Sequence, residues 1–364
     1  MFSDCGRGPT AALTFCFRKM KAFALLINDI HASRSTLPEF EKNWDEALKV
    51  AEEHGAKYII VGGDMLKDTA SQTLDVLTAV WQAYNNACGA GFKLVVAEGN
   101  HDKVNRNSMM GYNHIFAPVA DVPLDASFRV VHTFNTLDLN PGVRLWVMSY
   151  FREDGAFMNI YNRMLKDLDP AYTNILYCHQ GIRGGLAQAT EDELPTSIFK
   201  PFDTVLVGHY HDRKVVDNPD TKIQYIGASR QHNFGEDDQK GYTLLYPDGS
   251  TKFIQNQVNE RYRTVRISAE EAKTYKEDKA DNEKVKVIVT CKESESSAID
   301  KQTLLAAGID KVELDIQTEV SENVKQEDFS KKFDKQGIVT EYKEYCESHD
   351  VDAQLGVEYL TKTM

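Results

Sequence analysis

Acidic and histidine residues occur in groups along the first two thirds of the 364-residue chain, each directly after a short apolar segment. Apolar segments of this length are typical of buried β-strands. In an α/β sheet, ligands bind in the crevice beyond the carboxyl ends of the strands, so we expect these groups to converge there. The groups are Asp29-Ile30-His31, Gly62-Gly63-Asp64, Gly99-Asn100-His101-Asp102, His179 and Gly208-His209-Tyr210-His211.

The residue types in these groups indicate metal chemistry. Neutral imidazoles and carboxylates suit Mn²⁺, Fe or Zn²⁺, and the lack of a thiolate disfavours a structural zinc site. Two cations about 3.5–4 Å apart can share a carboxylate and clamp both oxygens of an in-line attack on phosphorus. Glycines beside Asp64, Asn100 and His209 let the backbone turn sharply near a ligand. The set therefore predicts a two-metal phosphoesterase.

A histidine on its own is more often structural than functional. The histidines outside the groups are therefore interpreted as ordinary core or surface residues: His54, His114, His132, His232 and His349. Five arginines are candidates for contact with DNA, and each is interpreted by default as an exposed surface residue. They are Arg34, Arg106, Arg183, Arg213 and Arg230. The ordered set DxH, GGD, GNHD, a single histidine and GHxH is, in contrast, highly specific.

Alternating strands and helices must position these groups. Phe23–Ile27, Tyr58–Val61 and Lys93–Ala97 are predicted strands, and Leu37–His54 is a helix between the first two. Leu74, Leu77, Trp81 and Tyr84 mark a second helix. This βαβαβ order predicts a sheet with helices on its faces. Further strands are predicted at Val143–Met148, Ile175–Cys178, Thr204–Val207, Gln224–Ile226, Tyr242–Leu245 and Lys252–Ile254.

The composition changes near Ile267. Residues 268–324 are predicted to hold a linker and a βαβ unit, with strands at Val285–Thr290 and Val312–Ile316 around a helix at Asp300–Ala307. Residues 325–364 are rich in lysine and glutamate and predict two short helices. Their apolar residues are Phe329, Phe333, Ile338, Val339, Tyr342 and Tyr345, followed by Leu355, Val357, Tyr359 and Leu360. We therefore expect a loose extension at 1–19, a main domain at 20–267, a small domain at 268–324 and a tail at 325–364.

Composition excludes several other classes of protein. The net charge of −13 disfavours a protein that grips nucleic acid by overall positive charge. A phosphate chain would have to be held locally, by metals and a few Arg or Lys. No segment approaches the roughly 18 apolar residues of a membrane span. The six cysteines are scattered, which is typical of reduced thiols in a cytosolic protein.

Between Ala22 and Ile267 the motifs resemble the calcineurin-like metallophosphoesterase superfamily. The resemblance implies a four-layer α-β-β-α sandwich and two divalent ions, with Mn²⁺ favoured over Mg²⁺, Fe²⁺ or Zn²⁺. It implies that His101 faces the scissile phosphate as general acid or transition-state stabiliser, steadied by Asp102. The implied ligands are Asp29, His31 and His211 for one metal, Asn100, His179 and His209 for the other, and Asp64 for both.

Within that superfamily the chain resembles the SbcD-type nucleases, the bacterial and phage counterparts of the eukaryotic MRE-eleven nuclease, and most of all a phage recombination endonuclease subunit. Tyr225–Arg230 and Asn233–Glu236 are similar to the stretch that follows the last histidine motif in that family. The βαβ unit resembles its capping domain, and the tail resembles the segment that docks on an ATPase. Lys67 is a departure, because many members have histidine there.

The resemblance to SbcD-type nucleases implies a manganese-dependent exonuclease and endonuclease for DNA recombination, repair or replication. It implies a homodimer within a heterotetramer with an SbcC-type coiled-coil ATPase, in the cytoplasm of a bacterium or a phage-infected host. A small-molecule phosphodiesterase or phosphatase is the alternative, because the metal chemistry is shared. A non-catalytic scaffold with a vestigial site is a second alternative. The region after Ile267 favours the nuclease, since a small-molecule enzyme has no need of it.

Overall fold

The computed structural model describes residues 20–117, 127–186, 192–317, 335–348 and 351–363. The chain forms two units. The larger unit holds the described residues up to Val265, together with Lys276–Val287 and Leu304–Val312. The smaller unit holds Arg266–Tyr275, Ile288–Thr303 and the described residues from Glu313 onward. The predicted extension at 1–19 and the apolar residues Phe329 and Phe333 lie outside the described residues.

One six-stranded sheet carries the first three ligand groups. Its strands are β1 (Ala24–Ile27), β2 (Tyr58–Gly62), β3 (Lys93–Ala97), β4 (Phe128–Val130), β11 (Gly241–Leu245) and β12 (Thr251–Gln255). The order across the sheet is β12-β11-β1-β2-β3-β4. Strands β1 to β4 are parallel, whereas β11 is antiparallel to β1 and β12 is antiparallel to β11. The carboxyl ends of β1, β2 and β3 therefore meet at one edge.

A second six-stranded sheet carries the remaining groups. Its strands are β5 (Phe134–Asn140), β6 (Val143–Met148), β7 (Thr173–His179), β8 (Thr204–Gly208), β9 (Lys214–Val216) and β10 (Lys222–Tyr225). The order is β5-β6-β7-β8-β10-β9, and β6, β7, β8 and β10 are parallel. The ends of β7 and β8 thus bring His179 and His209 to a common edge.

Helices cover the outer faces of both sheets. They are α1 (Leu37–Glu53), α2 (Leu74–Gly89) and α3 (Phe157–Leu165). Leu25 and Ile27 of β1 pack with α1 and α2, whereas Ala24 and Leu26 pack with the second sheet. On the other side of the second sheet, α3 packs against strands β6 to β8 and β10. The result is a four-layer α-β-β-α sandwich, as the family resemblance implied.

Helix α1 follows from its sequence. Phe40, Trp44 and Ala51 recur on one face and are buried, and the Trp44 indole donates to the Ala83 carbonyl of α2 at 2.9 Å. Gly55 adopts a φ of 66°, a left-handed conformation that ends a helix at little cost for glycine. Helix α2 is present where the sequence predicted a second helix. Leu74 and Trp81 are exposed, and the buried face consists of Val76, Ala79, Val80, Ala83, Tyr84 and Ala87.

A three-stranded sheet follows the sandwich in sequence. It has the order β13-β14-β15, with β13 at Arg261–Ser268, β14 at Glu283–Lys292 and β15 at Lys311–Gln317. Two short helices, α4 (Glu293–Ser296) and α5 (Lys301–Ala306), lie between β14 and β15 in sequence. Near the end of the chain come α6 (Lys335–Ser348) and α7 (Gln354–Thr363). Among the described residues, no helix has the length and apolar character that crossing a membrane requires.

Candidate metal centre

The backbone is unusual where the ligand groups begin. Asp29, His31 and Asp64 each have a φ of 52°, and His209 has a φ of 91°. In the described part of the chain these are the only residues other than glycine with a positive φ. Such conformations cost of the order of 1–3 kcal/mol each for non-glycine residues and concentrate at functional sites. Sharp turns after β1, β2 and β8 thus aim these side chains at a common centre.

One set of ligand atoms gathers around Asp64. Its carboxylate and the rings of His179 and His209 offer ligand atoms within 4.8 Å of one another. His179 contacts the Gly62 carbonyl through Nδ1 at 3.1 Å, which leaves Nε2 to face the centre. Asn100 Oδ1 and His209 Nδ1 are buried without a hydrogen-bond partner among the described residues. Unpartnered ligand atoms beside a buried carboxylate fit a divalent cation.

A second set gathers around Asp29 and His31. The Nε2 atoms of His31 and His211 are 3.1 Å apart, and each lies 4.0 Å from Asp29 Oδ1. Nitrogen ligands bind zinc at about 2.0–2.1 Å, so two imidazole nitrogens on one ion lie roughly 3 Å apart. The arrangement of these side chains therefore also fits a divalent cation.

Asp64 lies between the two sets. Its Oδ2 is 3.2 Å from His179 Nε2 and 3.7 Å from His31 Nε2. Its Oδ1 accepts the backbone N–H of His101 at 2.8 Å. One carboxylate is therefore close to ligands of both sets, and the two ligand sets share it.

Burial and neighbouring charges shift the pKa values of the histidines in the metal centre. Burial lowers the pKa of His31 and of His209 to about 3, so both rings are neutral, the form that binds metal. Burial also opposes a charge on His179, but the carboxylates of Asp64 and Asp29 raise its pKa to about 9. The same negative charge would stabilise divalent cations.

His101 lies at the rim of the centre. Its Nδ1 contacts the backbone carbonyl of Lys67 at 2.6 Å, which directs Nε2 away from that carbonyl. Its ring meets the ring of His31 edge-on, with centroids 4.8 Å apart. A ring nitrogen of His101 also lies within 4.8 Å of ligand atoms of His31 and Asp64. The geometry therefore allows either a proton-transfer role or ligation, and a substitution can separate the two.

Asp102 accepts hydrogen bonds from backbone N–H groups and does not contact the ring nitrogen of His101 that was expected to be its partner. Its carboxylate accepts the N–H groups of Leu66 at 2.9 Å and of Gly99 at 2.8 Å. Burial, together with the charge of Asp64, raises its pKa to about 7. The sequence interpretation had Asp102 steady His101, but the Nδ1 of that ring contacts a main-chain carbonyl instead. Asp102 therefore fixes the loops that follow β2 and β3.

Glu236 is a residue to which the sequence motifs gave no role. Its Oε1 lies 2.8 Å from His211 Nδ1, and its Oε2 accepts the backbone N–H of His232 at 3.0 Å. Burial opposes a charge on the His211 ring, while the hydrogen bond to Glu236 raises its pKa. Carboxylate partners of this kind orient metal-binding imidazoles. Glu236 thus positions His211 with Nε2 toward His31.

His232 and Arg230 hold the segment that carries Asp29 and His31. His232 Nε2 contacts the Asp29 carbonyl at 2.8 Å, and its ring lies within 4.8 Å of ligand atoms of His31 and His211. Arg230 is only 4% exposed, and its guanidinium donates to the carbonyl of Ile30 at 3.2 Å. The default interpretation of a surface arginine is therefore wrong for Arg230, whereas His232 is a hydrogen-bonded structural histidine that also lies beside ligand atoms of the centre.

Two sheets whose parallel strands deliver two sets of carboxylate, amide and imidazole ligands define a metal-binding protein. The sequence of residues 24–213, more than half of the chain, matches the calcineurin-like phosphoesterases. The chain belongs to this family and is a phosphoester hydrolase. The matched range contains Asp29, Asp64 and His211, and ends before Glu236.

Several solved structures are similar to this chain. A protein of Thermus thermophilus is 14% identical with a TM-score of 0.42, and the alignment covers 65% of this chain and 99% of that one. An archaeal phosphodiesterase is 12% identical with a TM-score of 0.34, covering 64% and 99%. A dimetal phosphatase from Danio rerio is 12% identical with a TM-score of 0.40, covering 62% and 93%. No curated protein matches the chain.

Proposed function

We propose that this phosphoesterase is a DNA nuclease. It cleaves phosphodiester bonds with Mn²⁺ as its preferred ion, as exonuclease and endonuclease, in DNA recombination, repair or replication. The observation that carries the proposal is the segment Arg230–Glu236. Arg230 and Glu236 belong to the stretch that is similar to the SbcD-type nucleases and contact Ile30 and His211, and His232 between them contacts Asp29. The nuclease-like part of the sequence therefore supports the metal centre directly.

The residues of the metal centre differ in burial, and this difference indicates the side from which the substrate approaches. Asp29 and His179 are fully buried, whereas His211 is 27% exposed and His101 lies at the rim, so a phosphodiester approaches over these two rings. His101, held by the Lys67 carbonyl, can donate a proton to the leaving oxygen. Divalent cations held by the two ligand sets would supply positive charge that polarises the phosphate and activates water.

The region beyond the sandwich supports the nuclease over a small-molecule esterase. It includes strands β13 to β15 and helices α6 and α7. Hydrolysis of a single small ester needs none of these elements. A nuclease that works with an ATPase needs surfaces for its partner, and this part of the chain can supply them.

We expect the purified protein to cleave end-labelled single-stranded and duplex DNA with Mn²⁺, and to cleave more slowly with Mg²⁺. The reason is the mixed oxygen and nitrogen ligand set, which suits Mn²⁺. Gel analysis of products, beside hydrolysis of bis(p-nitrophenyl) phosphate, measures both activities. Chelator should remove both, and added Mn²⁺ should restore them. If the dye ester is hydrolysed but no DNA is cleaved, even with the ATPase present, the enzyme acts on small molecules.

We propose that helix α7 docks on an SbcC-type coiled-coil ATPase. Val351, Leu355 and Tyr359 are 55%, 81% and 70% exposed and recur at every fourth position. That spacing places Leu355 and Tyr359 on one face of α7, the pattern of an amphipathic helix that binds a groove, and Val351 lies in the segment just before the helix. The alternative is that this apolar face packs within the chain.

Val351→Ser combined with Leu355→Ser should abolish co-purification with the ATPase, because it removes the exposed apolar face. Mn²⁺-dependent dye hydrolysis by the protein alone should persist. Glu358→Gln, an exposed change on the same helix, is the matched control and should still co-purify. A double variant that loses its thermal unfolding transition would assign this face to the interior of the chain, and a double variant that still co-purifies would exclude it as the docking surface.

The same proposal includes pairing of two chains within a heterotetramer. Leu74 and Trp81 of α2 are 79% and 52% exposed and lie seven positions apart, on one helical face. An exposed apolar pair of this kind suits a contact between copies. Sedimentation at tens of micromolar protein should give a dimer, and a monomer there would contradict the pairing. We place the complex in the cytoplasm of a bacterium or a phage-infected host, where thiols stay reduced.

A further inference from the structure

A cleft lies next to the metal centre, and none of the residues that line it is a proposed metal ligand. The segments after β1 and β2 run side by side beyond His31 and Asp64. Ala32 donates to the Met65 carbonyl at 2.8 Å, and Lys67 donates to the Ala32 carbonyl at 3.1 Å. The cleft occupies about 460 Å³, within the usual range of ligand sites. Its lining residues are Ser33, Arg34, Ser35, Lys67 and Asp68.

The cleft shares a wall with the catalytic rim. The backbone carbonyl of Lys67 accepts a hydrogen bond from His101 Nδ1, and the backbone N–H of His101 donates to the carboxylate of Asp64. A group bound in the cleft is therefore next to a phosphate held over His101. Only three positions separate Lys67 from the shared carboxylate of Asp64.

The cleft is lined by two cationic side chains, Arg34 and Lys67, and by one carboxylate, Asp68, so the formal charge of its lining is positive. Arg34 is paired with Asp75 at 3.1 Å, with both side chains exposed. Lys67 is exposed and forms no ion pair with any other described residue, so its ammonium group is available to a ligand. The hydroxyls of Ser33 and Ser35, 3.3 Å apart, add hydrogen-bonding groups to the lining of the same cleft. Because the protein has a net charge of −13, binding of a phosphate backbone requires a local positive charge such as that of Lys67.

We propose that this cleft binds a second phosphate of the substrate, next to the scissile one, with Lys67 as its main contact. The proposal rests on the proposed nuclease function and names the substrate as a strand with at least two phosphodiester linkages. An exposed lysine is commonly only solvated surface. Here the lysine lies in a cleft adjoining His101. Asp68 lines the same cleft, and its carboxylate repels the dianionic phosphate of a monoester more strongly than the singly charged internal diester.

The test compares substrates that differ in the number of phosphates. The kcat/KM values are measured for bis(p-nitrophenyl) phosphate, dithymidylate and trithymidylate with Mn²⁺. For the wild-type protein we expect the second linkage of trithymidylate to raise kcat/KM about tenfold or more, the size of a hydrogen bond to a charged group. Lys67→Ala should remove most of that gain, and its loss on trithymidylate should be at least five times its loss on the dye ester.

Two variants control for other causes. Lys67→Arg keeps the charge and should retain most of the gain, whereas Lys49→Ala removes an exposed lysine of α1 and should change nothing. On longer single strands, Lys67→Ala should also lower the slope of log KM against log salt by about 0.7, as one lost phosphate contact predicts. Thermal unfolding of each variant checks that the fold is intact.

The outcomes separate this proposal from the nuclease proposal. Equal losses on the dye ester and trithymidylate, or no loss on either, would overturn the cleft as a second phosphate site. If the wild-type protein cleaves no oligonucleotide, the p-nitrophenyl esters of thymidine 5′-monophosphate and 5′-diphosphate replace them. If the wild-type protein prefers the diphosphate ester and Lys67→Ala removes that preference, the cleft proposal stands and the nuclease proposal is rejected. If the wild-type protein shows no such preference, both proposals are rejected.

Discussion

Replacing Asp64 with alanine is expected to remove both metal ions and to abolish phosphoester hydrolysis. The carboxylate lies 3.2 Å from His179 Nε2 and 3.7 Å from His31 Nε2, so its loss damages both ligand sets at once. Its other oxygen holds the backbone N–H of His101, so the catalytic rim loses support as well. Outer-shell changes typically cost about 10–100-fold in metal affinity, and loss of a shared ligand should exceed that.

Metal content by mass spectrometry and titration with Mn²⁺ measure the effect of Asp64→Ala, and dye-ester hydrolysis measures activity. Asp64→Asn keeps the shape of the side chain without its charge and should lose most of the affinity as well. Asp45→Ala, an exposed change on α1, is the control and should behave as wild type. A variant with alanine at position 64 that retains both ions and its rate would show that the two ligand sets do not depend on a shared carboxylate.

The sequence could locate the site because ligand types and strand ends coincide. Asp29, Asp64 and Asn100 each follow a parallel strand of one sheet, and His179 and His209 end or follow strands of the other. In parallel strands the carboxyl ends share an edge, so the motif order brings together those residues that follow strands of the same sheet. The structure brings Asp29 and Asp64 next to His179 and His209, and it adds the left-handed backbone of Asp29, Asp64 and His209, which no spacing rule predicts.

The supporting residues could not be predicted in the same way. Arg230 and His232 contact Ile30 and Asp29, about 200 positions earlier in the chain. No periodicity links residues so far apart, and each residue type alone is uninformative. Glu236 had a weak signal, because it stands in the stretch similar to the SbcD-type nucleases. Asp102 illustrates the opposite error, since its neighbour in sequence, His101, is not its partner in space.

The fold was predictable where strands are apolar and buried. Strand β5 is polar and half exposed, and β9 has only three residues, so neither produces a clear pattern. The division into two sheets also escapes the sequence, because strands such as β1 are buried on both faces and lack alternation. In α2 the apolar residues Leu74 and Trp81 are exposed, whereas Tyr84 is buried together with alanine and valine residues, so apolar character alone does not identify the buried face.

Replacing His101 with alanine should lower kcat by about 10²–10⁴-fold while both metal ions remain bound, the usual loss for a general acid or base. The backbone N–H that holds Asp64 Oδ1 is retained in the variant, so the shared carboxylate keeps its position. The ring itself contacts the Lys67 carbonyl and the edge of His31, contacts that the ligand sets around Asp29 and His179 do not require.

Metal analysis and kinetics on two leaving groups separate the possible roles of His101. A general acid matters most when the leaving group is a poor one, so the rate loss should be larger on DNA or dithymidylate than on the p-nitrophenyl ester. His132→Ala, a histidine outside both ligand sets, is the control and should be near wild type. Because a ring nitrogen of His101 lies within 4.8 Å of ligand atoms of His31 and Asp64, ligation is the competing role. One missing ion per chain, with equal losses on both leaving groups, would assign His101 to the metal rather than to proton transfer.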